Sequence, residues 1–313
     1  MSKGVTISMI FEGENLNFNG SIGNVVELKK ILRGNGDTYT FVHKNALRSD
    51  IVRIGAREFD WNLETVYRGQ GVIQFKPEVT IEDSEEMDLF GYMKTKKAKK
   101  TKKAKVKKND DGQEVSSQTR KAVVRLSHAF SLEKYRYDID FSTNKGLADR
   151  IGENPNIYYT EQHKSLYAYT ITIDLDRIGV DGAIEISNEL KAKRVNEFLE
   201  IIKVLNRDIK GTEQSLNPLF AIGGMYNICN PWFLGRIHLN TSEEGYSIDA
   251  NSLRSVLKLT FMGEPVRENT RIAAIKGQFA NEDELGSLKE EGLIEIEDFF
   301  VELQQKVKAY YGE

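Results

Sequence analysis

Basic residues at a predicted helix start are the first pattern that could do chemistry. Lys44 and Asn45 precede a helix predicted over about 46–54, with Asn45 as its cap. Free backbone N–H groups and the positive end of the helix dipole favour a phosphate there. Lys44, Arg48 and Arg53 would then hold a sugar-phosphate backbone without reading bases. The alternative is an ordinary capped amphipathic helix with solvated arginines.

A lysine tract at residues 94–108 is the second pattern. It holds ten lysines and no acid, whereas the rest of the chain has 34 Lys and Arg against 47 Asp and Glu. Flexible lysines make non-specific contacts to phosphate, so the tract predicts local nucleic-acid contact. The alternative is a solvated loop that pairs with the acidic stretch before it. The lysines predicted to contact DNA are Lys96, Lys97, Lys99, Lys100, Lys102 and Lys103.

Catalytic patterns are weak. Two aspartate pairs, Asp138 with Asp140 and Asp174 with Asp176, could point to one face of a strand, but solvation at strand ends is the simpler interpretation. The four histidines lie far apart in sequence, and Cys229 is the single cysteine, so no zinc-binding spacing exists. P-loop, G-x-S-x-G and H-E-x-x-H motifs are absent. We expect no enzyme, no metal and no cofactor.

The elements that must position these residues follow from hydrophobic periodicity. Ser187 or Asn188 begins a predicted helix whose apolar stripe continues to Leu205, and a closing helix is predicted over about 296–307. The order of elements predicts an α+β fold with helices on one sheet face. Alternation predicts strands over residues 5–11, 38–42, 167–175, 234–239 and 253–261.

Two stretches lack this regular patterning. Residues 60–165 read as an inserted subdomain that contains a mobile, Lys-rich loop at about 82–118. Residues 219–227 read as a mobile hairpin or loop, in which Phe220, Met225 and Tyr226 could wedge between bases or stack on them. Core packing by the same side chains is the alternative.

Composition indicates the cellular compartment in which we expect the protein. The 313 residues contain no apolar run of the roughly 18–20 residues that cross a bilayer, and no basic leader precedes a long apolar stretch. A single cysteine excludes an internal disulfide and fits a reducing compartment. We therefore expect a cytoplasmic protein without membrane contact.

Four stretches in order carry a family resemblance. They are Gly-Ser-Ile-Gly-Asn at 20–24, the run from Tyr to Ile at 39–51, the run from Ser to Gly at 127–146, and the run from Tyr to Gly at 169–179. Together, over roughly residues 9–231, they resemble the backbone subunit of type I-B CRISPR Cascade complexes, the DevR-like or Cst-type family. The lysine tract lies outside the shared pattern.

The resemblance implies a palm with an RNA-recognition-motif-like (ferredoxin-like) sheet from residues 1–59 and 166–313. It further implies a finger at 60–165 and a thumb at about 211–232. Copies would stack head to tail along one CRISPR guide RNA, beside other Cascade subunits, and present the guide to target DNA. The residues expected to bind RNA are Lys44, Asn45, Arg48, Arg53, Asn24, Asn144, Lys145 and Met225.

Two other functions remain open at this point. One is a metal-dependent ribonuclease resembling the backbone subunits of type III complexes, with Asp138, Asp140 or Asp110 as the cutting aspartate. The other is a regulatory or scaffold protein that uses its acidic bulk for protein contacts. RNA cleavage with magnesium distinguishes the first from an RNA-coating subunit, and a response to RNA distinguishes the second.

Overall fold

The computed structural model describes residues 3–34, 36–69, 71–97, 107–108, 114–243 and 245–313. Within these ranges, no helix is long and apolar enough to cross a membrane. The fold is α+β, as the sequence predicts. Its helices are α1 (Lys44–Phe59), α2 (Glu85–Phe90), α3 (Lys145–Ala148), α4 (Asn188–Lys203), α5 (Ala250–Leu257), α6 (Glu282–Gly286) and α7 (Ile296–Tyr311), with 3₁₀ turns at Leu175–Arg177 and Val266–Asn269.

An eight-stranded antiparallel sheet forms the centre of the molecule. Its strands are β1 (Gly4–Glu14), β2 (Lys30–Leu32), β3 (Thr38–Val42), β4 (Val124–Leu126), β5 (Ala129–Ser131), β6 (Lys164–Asp174), β7 (Phe220–Tyr226) and β8 (Thr270–Ala274). The order across the sheet is β8-β7-β1-β6-β5-β3-β2, and β4 also pairs with β6. The two longest strands, β1 and β6, therefore lie side by side at its middle.

One face of this sheet carries the helices. Alternate residues of β6, such as Tyr169 and Ile171, join a buried apolar cluster that also takes side chains from α1, α4 and α7. The helices supply the matching apolar stripes, for example Phe198 of α4 and Phe299 of α7. The predicted strand at 167–175, the helix start at Ser187 and the closing helix are confirmed, and Ser187 caps α4 by accepting from the Leu190 N–H.

The opposite face is only partly covered. Ile10, Phe220 and Ile222 pack there against Phe233 and the α5 residue Leu253. This cover lies mainly over the β8-β7-β1 end of the sheet and reaches β6 at Leu166, and most of its outer side chains come from residues 232–293. The β5 and β3 end of the same face keeps half-buried aromatic side chains, which line an open cleft.

Smaller sheets surround this core. A four-stranded sheet combines Phe18–Ile22, Val25–Leu28, Ile139–Thr143 and Ile157–Glu161, and a three-stranded sheet combines Tyr92–Lys97, Lys107–Lys108 and Glu114–Arg120. Two-stranded hairpins pair Val66–Gly69 with Val72–Phe75, Val180–Asp181 with Ile184–Glu185, Asn206–Ile209 with Thr212–Ser215, Leu239–Ser242 with Gly245–Ile248, and Thr260–Phe261 with Glu264–Pro265.

The boundaries predicted for the insertion differ from this topology. Residues 60–165 do not form one inserted unit, because β4 and β5 belong to the central sheet and pair with β6. Val124 and Ala129 are buried on the helix face, so these short strands complete the same core. Conversely, Phe18–Leu28 falls in the range predicted for the palm but pairs within the four-stranded sheet.

The mobile loop predicted at 82–118 is wrong for its described parts. Residues 85–90 form α2, and residues 92–97 and 114–120 are paired strands. The Asp88 carboxylate is fully buried and accepts from Arg120 (2.6 Å), from Arg194 (2.8 Å) and from the Gly179 N–H (2.9 Å). This buried charge network gives the segment the fixed packing that its polar composition conceals.

The loop predicted at 219–227 is also wrong, because Phe220–Tyr226 is the strand β7 between β1 and β8. Its two glycines serve close packing rather than a turn. A Cβ on Gly223 would lie 2.0 Å from the Thr6 carbonyl oxygen, and one on Gly224 would lie 1.8 Å from the Asn269 carbonyl oxygen. The alternative of core packing is therefore confirmed for this stretch.

Two further strand predictions fail near the C-terminal end. Residues 253–261 begin inside the helix α5, whose buried positions Ala250, Leu253, Val256 and Leu257 have helical spacing. Asp249 caps this helix by accepting from the Asn251 N–H. Residues 234–239 form turns, and only Leu239 lies in a strand. Short apolar runs are ambiguous between helix and strand without tertiary contacts.

Candidate nucleic-acid interface

The start of α1 differs from the predicted start. The helix begins at Lys44 and its cap is His43, not Asn45. The His43 Nδ1 atom accepts from the Asn45 N–H at 3.1 Å, and the His128 Nδ1 atom accepts from the Lys44 N–H at 3.0 Å. Two imidazoles therefore satisfy two successive free N–H groups of the first turn. The side chains of Lys44 and Asn45 remain exposed.

A cluster of aromatic rings adjoins this helix start. The Phe41 ring lies 5.4 Å from the His128 ring and 5.6 Å from the Phe130 ring, centroid to centroid. The His43 and His128 rings are 4.4 Å apart. Adjacent strands bring them together, because Phe41 and Phe130 are register partners of β3 and β5. All four side chains are only half-buried, so their ring surfaces are available to a flat ligand.

A trough runs along the helix-free face beside the cluster. Its first part is a cleft of about 320 Å³ that includes His128 and Phe130, and its second part is an open cleft of about 910 Å³ that includes Arg136. Both parts are lined by Tyr39, Leu132 and Leu239, so the two clefts adjoin.

The walls of the trough carry charge of both signs. The second part contains Lys134, Arg136 and Lys164 together with Glu14, Glu133 and Asp138. In the first part, the Arg33 guanidinium lies 4.9 Å from the centre of the Tyr39 ring. None of the described residues that line the first part is a carboxylate. The end of the trough beside α1 therefore suits an anion better than the far end.

Burial favours the neutral form of two imidazoles that line the trough, His128 and His163. It lowers the pKa of His128 from the ordinary value of 6.5, and the neighbouring His43 and Lys44 lower that pKa further. Burial likewise lowers the pKa of His163, whose Nδ1 atom is 2.7 Å from the Thr40 hydroxyl. Neutral rings stack and accept hydrogen bonds, so these two side chains add ring faces and acceptors to the trough, and its positive charge comes from lysine and arginine.

The two arginines predicted on α1 make internal contacts. Arg48 donates to the Glu86 carboxylate at 2.6 Å and its guanidinium lies 5.0 Å from the centre of the Phe90 ring. Arg53 donates to the backbone and side-chain oxygens of Asn206 at 2.8 and 2.7 Å. Both therefore connect α1 to neighbouring segments, and of the predicted α1 residues Lys44 and Asn45 are the exposed pair.

Three other predicted RNA contacts cluster elsewhere. Asn24 lies in the turn between Phe18–Ile22 and Val25–Leu28, and its carbonyl accepts from the Tyr159 N–H. Asn144 precedes α3 and accepts from the Asn156 N–H at 2.6 Å, while Lys145 is exposed. The strand pairing puts all three at one end of the four-stranded sheet, which is not part of the trough.

Met225 and the two described lysines of the DNA-binding prediction lie in different strands. Met225 pairs with Val5 inside the central sheet and packs against the helix-side core, so the prediction of a protruding wedge is wrong. Lys96 and Lys97 end the strand Tyr92–Lys97. Lys99, Lys100, Lys102 and Lys103 lie outside the described residues.

The two described aspartates of the ribonuclease alternative lie in different surroundings. Asp138 lies in the wall of the trough, and Asp140 accepts from the Ser142 hydroxyl on the four-stranded sheet. Asp110 lies outside the described residues. Among the residues that are described, no three His, Cys, Asp or Glu side chains come together as a metal site.

Sequence reasoning missed the aromatic members of the interface. Phe41, His128 and Phe130 all lie within stretches that carry the family resemblance. Their alternation with the buried residues Val42 and Ala129 is a signal that two short strands expose aromatic rings on the same sheet face. The signal was weak because β5 has only three residues.

One family model matches most of the chain. The family model described as CRISPR-associated negative auto-regulator DevR/Csa2 matches residues 5–233. The chain belongs to the DevR/Csa2 family. The matched region includes β1–β7, α1 and α4, and therefore the aromatic cluster and most of the trough of this family member.

Solved structures resemble the DevR/Csa2-family chain over its whole length. One is a chain of a "CRISPR RNA-guided surveillance complex, pre-nicking", at TM-score 0.55 and 13% identity, covering 98% of this chain and 99% of that chain. Another is a chain of a "CRISPR RNA-guided surveillance complex", at TM-score 0.56 and 15% identity with the same coverage. At these identities the likeness concerns the fold. No curated protein matches the sequence.

Proposed function

We propose that this chain is a guide-RNA-binding backbone subunit of a Cascade-type surveillance complex, acting in the cytoplasm and without catalytic activity of its own. The observation that carries the proposal is the trough on the helix-free face. Its lining includes the half-buried rings of His128 and Phe130 and, further along, Arg136. Phe41 and the exposed start of α1, Lys44 and Asn45, adjoin it through His128. Positive charge beside aromatic faces is the general design of single-strand binding surfaces.

The palm of such a subunit would be RNA-recognition-motif-like. Support comes from the connectivity β1-α1-β4/β5-β6-α4-β7 and from the sheet order β7-β1-β6-β5. Such an order supports the split βαβ arrangement expected of a ferredoxin-like palm. Helices on one face leave the other face for a ligand, and this is the face that carries the trough.

The guide would be held by its backbone and by stacking. Lys44 supplies a point charge next to the start of α1, where a phosphate is favoured by the helix dipole. Phe130 and His128 offer ring faces to bases of any identity. Sequence recognition would then belong to pairing between guide and target DNA.

Further copies and other Cascade subunits would cover the four-stranded sheet. One of its faces and its nearby connection expose Ile22 (70%), Phe141 (55%), Leu147 (60%) and Ile157 (49%). Contiguous apolar surface of this kind is typical of protein contacts. A head-to-tail contact, in which this sheet meets a different surface of the next copy, would repeat along the guide.

Co-expression with a CRISPR transcript tests the proposal. The purified protein is expected to carry RNA and to form assemblies larger than a monomer by light scattering. Lys44→Glu should reduce the bound RNA, whereas the matched control Lys258→Glu, at an exposed position at the end of α5 and outside the trough, should not. A nucleic-acid-free monomer at low salt, even with partner subunits present, would contradict the proposal.

Incubation of the assembled complex with matching RNA and magnesium tests the absence of catalysis. We expect intact RNA. Periodic cuts that disappear in Asp138→Ala or Asp140→Ala would identify the metal-dependent ribonuclease instead.

A further inference from the structure

The first turn of α1 is capped by two histidines from different parts of the chain. His43 precedes the helix and accepts from the Asn45 N–H, and His128 enters from the segment before β5 and accepts from the Lys44 N–H. The backbone of His43 is held in turn by the Asn17 side-chain oxygen at 3.2 Å. Both caps act on the two residues whose side chains remain exposed at the helix start.

These hydrogen bonds specify the protonation state of each ring. A ring nitrogen that accepts a hydrogen bond carries no proton, so the proton of each neutral imidazole is on Nε2. A doubly protonated ring has no acceptor left and would direct an N–H at another N–H. It would also bring positive charge to the positive end of the helix. Each cap therefore exists only while its imidazole is neutral.

The surroundings offer little to stabilise an imidazolium. The groups that act on His128 are His43, at 4.4 Å between ring centroids, and Lys44 of α1. The β3 and β5 strands contribute the uncharged rings of Phe41 and Phe130, and the adjoining cleft adds Arg33 and His238. Of the described cleft residues none is a carboxylate. Protonation here would meet positive charge without compensation.

We propose that His43 and His128 are positioning residues that hold Lys44 and Asn45 in their RNA-binding geometry only while both rings are neutral, so that acidification releases this end of the trough. The inference rests on the proposed RNA binding for its function, but the caps themselves do not. Because folding favours the neutral form of His128 and lowers its pKa, the stabilisation from this ring is present above about pH 6.5 and is lost as the pH falls below that value.

Hydrogen exchange on the full RNA-free protein tests the caps directly. Between about pH 7.5 and about pH 5.5, protection of the Lys44 and Asn45 amides, corrected for intrinsic exchange, should fall about fivefold, as expected when a helix cap is removed. In the double variant His43→Asn and His128→Asn, an amide oxygen takes the place of Nδ1 and cannot titrate. Its protection should therefore not change over the same range.

His238→Asn is the matched control, because His238 lines the same cleft and caps no helix. It should keep the pH dependence of the native protein. If the double variant folds poorly, ¹⁵N resonances of the four imidazoles in the native protein give a second measurement. They should show His43 and His128 protonated at Nε2 alone at neutral pH. Protonation of either at Nδ1, or unchanged amide protection on acidification, would overturn the inference.

Binding of single-stranded RNA completes the test. Affinity should fall about fivefold over the same pH range in the native protein, and should stay constant over that range in the double variant. An affinity that rises on acidification would show that an imidazolium binds phosphate, and would overturn the positioning role. A protein that binds no RNA at any pH would contradict the proposed function. The exchange measurement would still show whether the two histidines cap the helix only in their neutral form.

Discussion

Phe130 shows how one residue serves both the fold and the interface. Its neighbours Ala129 and Ser131 are buried, whereas its own ring is half-buried and faces away from the helices. It pairs with Phe41 in β3 and with Ala168 in β6, and the small Ala168 side chain leaves space above the ring. A base that stacked here would lie against His128 on one side, at the narrow end of the trough.

Phe130→Ala is expected to weaken single-stranded RNA binding by about 1–3 kcal/mol, the usual loss when a stacking ring is removed. Fluorescence anisotropy with a labelled RNA measures the change, and urea unfolding verifies that the variant is folded.

Ile73→Ala is the control, because Ile73 is an apolar side chain that is 74% exposed on the strand Val72–Phe75 and lines neither part of the trough. It should leave this affinity unchanged. Equal losses in the two variants would argue that the trough is not the RNA path.

At the scale of elements, one buried carboxylate holds three segments together. Asp88 of α2 binds Arg120 at the end of the strand Glu114–Arg120 and Arg194 of α4, and all three side chains are at most 5% exposed. Arg120 also donates to the Arg177 carbonyl, and Arg194 donates to the Ile81 carbonyl. The network therefore fixes the base of the Lys-rich hairpin against the helix layer.

Asp88→Asn is expected to lower the free energy of unfolding by about 3–5 kcal/mol, because it removes the buried carboxylate that pairs with two buried guanidinium groups at 2.6 and 2.8 Å. The carboxylates that remain, Asp181 beside Arg120 and Glu85 beside Arg194, are 3.9 Å away. Urea denaturation followed by circular dichroism measures the loss. Asp149→Asn is the matched control, since Asp149 is 60% exposed and faces Lys145 at 3.8 Å. Its effect should stay below about 1 kcal/mol. If the loss of stability at Asp88 were no larger than that of the control, the network would not be what stabilises this part of the fold.

The glycines of β7 are a second feature at this scale. Gly223 lies between β1 and β8, and a Cβ there would meet the backbone of Thr6 and Ile7, which cannot rotate away as a side chain can. The strand is therefore close-packed against its neighbour, and its glycines are a packing requirement of the sheet.

Gly223→Ala is expected to destabilise the protein by about 1–3 kcal/mol through overpacking. Gly146→Ala provides the comparison, because a Cβ at Gly146 meets nothing within 4 Å and the residue lies in the helix α3. There alanine should be neutral or slightly stabilising. Thermal unfolding measures the stability of both variants. Equal midpoint temperatures would show that the sheet accommodates the added Cβ without loss of stability.

At the scale of the whole molecule, charge is divided between the lysine tract and an acidic remainder. The first lysine of the tract, Lys94, is 3% exposed, donates to the Val79 carbonyl and lies 4.9 Å from the centre of the Tyr92 ring. It belongs to the packing of the hairpin base. The predicted phosphate contacts of the tract are therefore assigned to the lysines after Lys94.

Replacing the lysines at positions 96–108 by glutamine, with Lys94 retained, is expected to weaken DNA engagement by the guide-loaded complex and to flatten its salt dependence. For every phosphate that the variant no longer neutralises, the slope of log affinity against log salt should fall by roughly 0.7 on a single strand. Guide-RNA assembly should persist, because the trough is separate from the hairpin. Loss of assembly in this variant would instead make the tract the main guide-binding site.

Elements with strong local periodicity could be predicted from the sequence alone. The alternation in β6, the stripe and cap of α4, and the apolar spacing of α7 are all readable because hydrophobic patterning repeats within each element. The α+β class and the family follow from the same stretches.

The candidate interface could not be predicted from the sequence, because it depends on tertiary contacts. Lys44 and His128 are 84 positions apart, and the trough combines β3, β5 and β6 with residues 233–241. Short strands such as β4 and β5 are stabilised by their pairing with β6, so their own pattern does not reveal them. The roles of Arg48, Arg53 and Met225 likewise depended on partners distant in sequence, because burial and ion pairing are properties of the packed chain.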